Sequence, residues 1–231
     1  MARGFGIGLI MKERYFTIHS LDQQSRELYQ QIAGQSQKKA IEYQPSKSAL
    51  LVLDMQAYFL DASSHAYIPS AVAILNGILQ LIDAYAHHHL SIFFTQHINT
   101  IGNAGMMSVW WKDLITVENP LRRIIPEIDP SMGTLIEKGQ YDAFYQTPLE
   151  EMLRARGVTQ VVICGVMTHL CCETTARSAF MRGFEVFFPV DGTATYNLAF
   201  HRATLLNLAH GFAKLVFMKD ILAIIRGENE D

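Results

Sequence analysis

The 231 residues are 49% hydrophobic and 18% charged, enough apolar content to bury a substantial core and too little charge for a disordered chain. A formal net charge of -3 gives no electrostatic reason to expect nucleic acid or an acidic membrane surface as partner, which leaves a small molecule or another protein. The three cysteines, Cys164, Cys171 and Cys172, lie close together with no distant partner, so a disulfide framework is not expected and a reducing, cytoplasmic compartment is.

No apolar run approaches the roughly 18 residues a membrane-spanning helix needs. The first residues, MARGFGIGLIMKER, carry a glycine-interrupted apolar patch and no small-residue cleavage site. They read as a leader of little structural weight, with Met11 as an alternative start. From Thr17 to Lys38 the chain is polar with scattered apolar residues, the pattern of a surface helix or arm. The organised pattern begins at Ala49, where ALLVLD is an aliphatic run of the kind found in strands buried on both faces of a parallel sheet.

A helix is predicted after Pro69, with Val72, Leu75, Ile78, Leu79 and Ile82 as its apolar face. LSIFFTQ is the next strand, followed by a long Met- and Trp-rich stretch from His97 to Pro130. Connections this long in a compact domain are usually functional, so it is read as pocket wall or lid. Then come GTLIEKG as a strand, PLEEMLRARG as a helix and TQVVICGV as a buried strand. A helix over Cys171 to Arg182, the strand FEVFFPV, a helix from Leu198 to His210 and a short strand near Lys214 to Phe217 complete the alternation. Repeated strand–helix units predict a three-layer α/β/α, doubly wound, mostly parallel sheet of about six strands.

In such sheets ligands bind outside the carboxyl ends of the strands. Asp54 ends the first strand, Lys138 ends GTLIEK, and Cys171 follows VVICGV at the start of a helix. A thiol nucleophile needs a proton acceptor, and a nearby ammonium stabilises thiolate and carboxylate charge. Taken singly, each has a plainer reading: a core thiol, a cap carboxylate, a solvated lysine. On the helix, Cys172, Thr175, Ala176, Ala179 and Phe180 define the face packed on the sheet. Cys171 is turned about 100° from that face, on the first turn, where free N–H groups favour a thiolate. Cys164 and Cys172 read as core.

ALLVLDMQAYF, GMMSVWW, EKGQYDAFYQTPLEEML and GVMTHLCCETTARSAFMRGF together resemble the isochorismatase-like hydrolases from Ala49 to Leu222. The resemblance implies a leader and helical arm over 1–45 and a hydrolase domain over 46–231. It further implies that Asp54 is the general base, Lys138 its electrostatic partner and Cys171 the nucleophile. The family's cis peptide would fall at Val166–Met167, aiming the N–H groups of Met167 and Cys171 into the site as an oxyanion hole. Isochorismatases proper, which cleave a vinyl ether without a cysteine, tend to carry glycine at the place of Cys171. They also carry glutamine where this chain has His97, and a carboxylate-binding arginine near Ala104.

These departures favour nucleophilic hydrolysis of an amide, imide or ureido C–N bond through a Cys171 thioester. The alternatives are vinyl-ether hydrolysis of isochorismate and a non-catalytic carrier-interaction module. His97, Trp110, Trp111, Tyr141 and Phe144 are expected to wall the substrate pocket, with ordinary core or interface packing as the plainer reading of the aromatics. No cofactor is expected. Related nicotinamidases hold a metal through an aspartate and histidines, but this chain has no compact Asp-x-His pair, and His87, His88 and His89 fall at a helix end. The apolar insert and the family's habit imply a homo-oligomer, dimer or tetramer.

Overall fold

A computed structural model describes residues 11–34, 41–111 and 113–228; the leader over 1–10 and the end of the arm near Lys38 fall outside the described residues. Among them no helix is long and apolar enough to cross a membrane.

The core is a seven-stranded parallel sheet, six strands in one row and a two-residue seventh beside them, and two sequence habits explain its layering. β1 (Ser48–Leu53) and β4 (Gln160–Val166) are buried at every position, as continuous aliphatic runs require in central strands covered on both faces. β3 (Thr134–Lys138) alternates buried and open positions because it lies at an edge. β2 (Ser91–His97) runs between β3 and β1, and β5 (Glu185–Pro189) and β7 (Lys214–Val216) lie beyond β4, in the order β3-β2-β1-β4-β5-β7; the two-residue β6 (Thr193–Ala194) pairs with β4. The chain leaves β1 toward β2 and β3 and then returns to β4 on the other side of β1. The topological switch, where a crevice opens, therefore lies at the carboxyl ends of β1 and β4. Gly165 faces Leu53 across this junction with φ of 112°; a Cβ there would strike the Leu53 carbonyl, so the approach requires glycine.

The helices are α1 (Leu21–Ala33), α2 (Ala57–Leu60), α3 (Ala71–His87), α4 (Met107–Trp110), α5 (Leu149–Ala155), α6 (Glu173–Met181), α7 (Leu198–Gly211) and α8 (Met218–Arg226). α3 buries Ile74, Ile78, Leu81, Ile82 and Tyr85 rather than the stripe centred on Leu75 and Leu79, and Val72 is exposed. Likewise Phe180 turns outward from α6, while Cys172, Thr175, Ala176 and Ala179 are buried as the spacing predicts. α8, absent from the sequence reading, closes the domain by packing on α3. Tyr15, Phe16, Leu28 and Ile32 join the same apolar core, which ties the amino-terminal segment and α1 to the sheet.

Candidate active site

Asp54 follows β1 directly, and the chain turns there with φ of 52°. That left-handed conformation is uncommon outside glycine but tolerated by aspartate, and it carries the carboxylate to the crevice. The Asp54 side chain is fully buried. Thr95 on β2 donates its hydroxyl to Asp54 Oδ1 at 2.6 Å, and the Asp54 N–H donates back to Thr95 Oγ1 at 3.1 Å.

Lys138 arrives from the end of β3, two strands away, and places its ammonium 2.7 Å from Asp54 Oδ2, with both side chains wholly inaccessible. At that distance the two form a direct buried ion pair. Lys138 Nζ also donates to the Gln140 carbonyl at 3.0 Å and lies 3.3 Å from His97 Nδ1 and 3.4 Å from Cys171 Sγ. One ammonium thus sits among a carboxylate, an imidazole nitrogen and a sulfur.

Cys171 comes from the other side of the switch. β4 ends in a cis Val166–Met167 peptide, and residues Thr168–Cys172 form a single π turn before α6 continues the helix. Cys171 is nearly buried in that turn and Cys172 entirely so, pointing into the core as its place on the helix face predicts.

The electrostatics define the resting state. Burial alone would raise the Asp54 pKa, but the Lys138 charge and hydrogen bonds from Cys171 and Lys138 hold it below the ordinary carboxylate value. Lys138 is pushed down by burial and held above its ordinary value by Asp54 and Cys171. The Cys171 thiol is pushed up to about 12, by burial first and then by the Asp54 charge, with Lys138 pulling the other way. At neutral pH the site therefore holds carboxylate, ammonium and protonated thiol, with the acceptor beside the proton it would take. His97 is lowered to about 4, by burial first and then by Lys138, so its ring is neutral. Because the ammonium must donate, His97 Nδ1 accepts, and Nε2–H is left to donate to Asn99 Oδ1 at 3.1 Å.

A pocket with about 570 Å³ of empty space, its open mouth included, reaches down to Cys171. Tyr58, Trp111, Tyr141 and Tyr196 form its aromatic walls, and His97 and Asn99 supply polar groups; among the described residues no lysine or arginine lines it. Trp111 Nε1–H donates to the Tyr141 hydroxyl at 2.6 Å, joining the insert to the loop that follows β3.

Of the residues singled out in the sequence, the structure brings Asp54, Lys138 and Cys171 together, and His97, Trp111, Tyr141 and Met167 to the pocket. It does not bring Trp110, which is 76% exposed on the outer side of α4, because Trp111 takes the inward direction. Nor does it bring Phe144, whose buried ring stacks on Phe184 with centroids 5.9 Å apart, away from the pocket. Thr95 and Asn99 were missed, although both lie two residues from His97, and the period-2 rule of a strand puts i and i+2 on one side. Tyr58 and Tyr196 carried no such signal.

A metal does not fit the central cluster. Among the described residues, Asp54, His97 and Cys171 are the one group of three potential ligands whose donor atoms lie within 4.8 Å of one another. Lys138 Nζ already stands in contact with all three, so they surround an ammonium.

A buried Asp–Lys–Cys cluster at the switch of a doubly wound parallel sheet defines an isochorismatase-like cysteine hydrolase. The isochorismatase domain model matches residues 48–220, and the chain belongs to that family of hydrolases. It is 44% identical over 174 residues to Nicotinamidase 3 of Arabidopsis thaliana, covering 73% of this chain and 84% of that one. It is 29% identical over 181 residues to Isochorismatase of Bacillus subtilis, covering 77% of this chain but only 57% of that longer protein. A cysteine hydrolase from Pseudomonas syringae shares the fold with a TM-score of 0.77 and 24% identity, covering 84% of this chain and all of that one.

Proposed function

We propose that the chain hydrolyses the C–N bond of a small, flat, uncharged carboxamide through a thioester on Cys171, with Asp54 as proton acceptor and donor and Lys138 as charge stabiliser. The observation that carries this reading is the single ammonium, 2.7 Å from Asp54 Oδ2 and 3.4 Å from Cys171 Sγ, with both contacts buried.

The sulfur attacks the amide carbonyl as Asp54 takes the thiol proton. No free thiolate accumulates, because the thiol pKa is held too high and the acceptor is already in place. The carbonyl oxygen becomes an oxyanion that the Met167 and Cys171 N–H groups would receive. Asp54 returns its proton to the leaving nitrogen, the C–N bond breaks, and ammonia or an amine departs. Asp54 then takes a proton from water, whose oxygen attacks the thioester, and the acid leaves as the thiol is regenerated. Throughout, Lys138 keeps the carboxylate ionised and offsets negative charge on sulfur.

The aromatic walls and the want of a lining cation among the described residues suit a neutral ring amide, and the likeness to Nicotinamidase 3 makes nicotinamide the first substrate to try. The second reading is vinyl-ether hydrolysis of isochorismate, favoured by the likeness to the Bacillus subtilis Isochorismatase. That substrate is a dianion, and the position expected to hold its arginine is the buried Ala104. A charge-assisted contact of that kind is worth about 1.5–3 kcal/mol. The test is ammonia release from nicotinamide beside pyruvate release from isochorismate. Ammonia release that disappears in Cys171→Ala supports the amide reading, and pyruvate release that survives it supports the other.

A homo-oligomer is part of the proposal. Ile101, Met106, Val109 and Trp110 leave an apolar patch exposed on the insert, suited to burial against a second copy.

A further inference from the structure

The turn that carries Cys171 is fastened by residues that take no part in the proposed reaction. At the centre is His201 of α7, fully buried, with its pKa lowered to about 4 by burial, so its ring is neutral. Nε2 lies 3.2 Å from the Val190 carbonyl, which can only accept, so Nε2 carries the proton and Nδ1 is an acceptor. Two hydroxyls face Nδ1, Tyr15 at 3.2 Å and Thr168 at 3.1 Å. The Tyr15 oxygen accepts the Thr195 N–H at 2.9 Å, which leaves its own proton for Nδ1. Thr168 is then free to donate to Thr193 Oγ1 at 3.0 Å.

Thr168 opens the π turn, and its neighbour is fixed as well. His169 Nδ1 lies 2.5 Å from Thr195 Oγ1, and its ring stacks on Phe200 with centroids 4.3 Å apart. The same amino-terminal segment reaches the pocket wall directly. The Glu13 N–H donates to the Tyr196 carbonyl at 2.7 Å, and Lys12 lies over the Tyr196 ring and donates to the His65 carbonyl. Tyr196 and His65 both line the pocket.

We propose that Tyr15 is a positioning residue for the nucleophile: through His201 and Thr168 it holds the π turn so that Cys171 Sγ meets the Lys138 ammonium. This rests on the reading of Cys171 as nucleophile. Without the Tyr15 hydroxyl, Nδ1 has only the Thr168 proton to accept. Thr168 then gives its proton to His201 instead of Thr193, and the tie between the π turn and β6 is loosened.

The test uses the whole protein and two readouts, nicotinamide turnover and the alkylation rate of Cys171 by iodoacetamide, which needs no knowledge of the substrate. Tyr15→Phe lowers kcat and the alkylation rate about tenfold and leaves KM within about twofold. Thr168→Ser keeps both rates, and Thr168→Val loses them as Tyr15→Phe does. Tyr43→Phe is the control, because it also removes a buried hydroxyl, one bonded to Ser48 and Tyr85 far from the turn. Parental rates in Tyr15→Phe, or an equal loss in Tyr43→Phe, overturn the proposal. If parental Cys171 is alkylated no faster than Cys164 and Cys172, the nucleophile reading fails and takes this proposal with it.

Discussion

The Lys138 ammonium lies 3.4 Å from the Cys171 sulfur at the bottom of a pocket, and no part of the lysine side chain is exposed. β3 and the π turn after β4 belong to opposite halves of the sheet, so the contact exists only because β2 and β1 lie between them in that order. A buried ammonium is costly alone. It is tolerated here because Asp54 neutralises it and the Gln140 carbonyl takes one of its protons.

Lys138→Met leaves Asp54 as an uncompensated buried charge. It is expected to destabilise the fold by about 3–5 kcal/mol and to abolish turnover. Asp54→Asn combined with Lys138→Met recovers most of that stability but none of the activity. Urea unfolding of the parent and the two variants measures the first effect, and ammonia release the second.

Stability falls as the pH drops from neutral toward 4. His97 and His201 have folded pKa values lowered from 6.5 to about 4, so between those values the unfolded chain binds protons that the folded chain refuses. Each contributes stability that is present above the unfolded pKa and lost as pH falls through this window, about 3 kcal/mol at full extent. Asp54, whose folded pKa is depressed, adds a further loss of the same sign at lower pH. A urea midpoint that stays constant from pH 7 to pH 4 contradicts this.

The rate shows no alkaline rise near the ordinary thiol pKa of 9.0, because the Cys171 thiol is held near 12 and loses its proton only to Asp54 during attack. Turnover instead declines at acid pH, where Asp54 takes up a proton. Thr95→Val removes the 2.6 Å hydrogen bond to Asp54 Oδ1, which favours the ionised form, and moves that acid limb to higher pH. A pH profile of kcat/KM for the two proteins measures the displacement.

Trp111→Phe removes the hydrogen bond to Tyr141 and loosens the pocket wall, raising KM several-fold with little change in kcat. Trp110→Ala leaves both constants unchanged, because that ring is outside the pocket. Steady-state kinetics separate the two neighbours, and Trp110→Ala weakens self-association, which sedimentation detects.

Much of this arrangement was legible from residue order. Asp54, Lys138 and Cys171 each end or follow a strand, and parallel sheets gather strand ends at one edge, so three distant residues could be placed together without knowing the strand order. Cys172 could be assigned to the core by helical spacing. Trp110 and Trp111 could not be told apart, because α4 is a single turn inside an irregular insert and has no period to read. The role of Phe144 depended on the loop that carries it past β3. The His201 cluster was invisible because its members come from separate segments, joined by hydrogen bonds and ring contacts that no local spacing encodes.

Intact-mass measurement and peptide mapping of protein quenched during turnover of nicotinamide detect the Cys171 thioester itself. A transient acyl adduct is expected on Cys171, absent from Cys164 and Cys172 and lost with all ammonia release in Cys171→Ala. Steady ammonia release by Cys171→Ala, with no adduct on the parent, would contradict it.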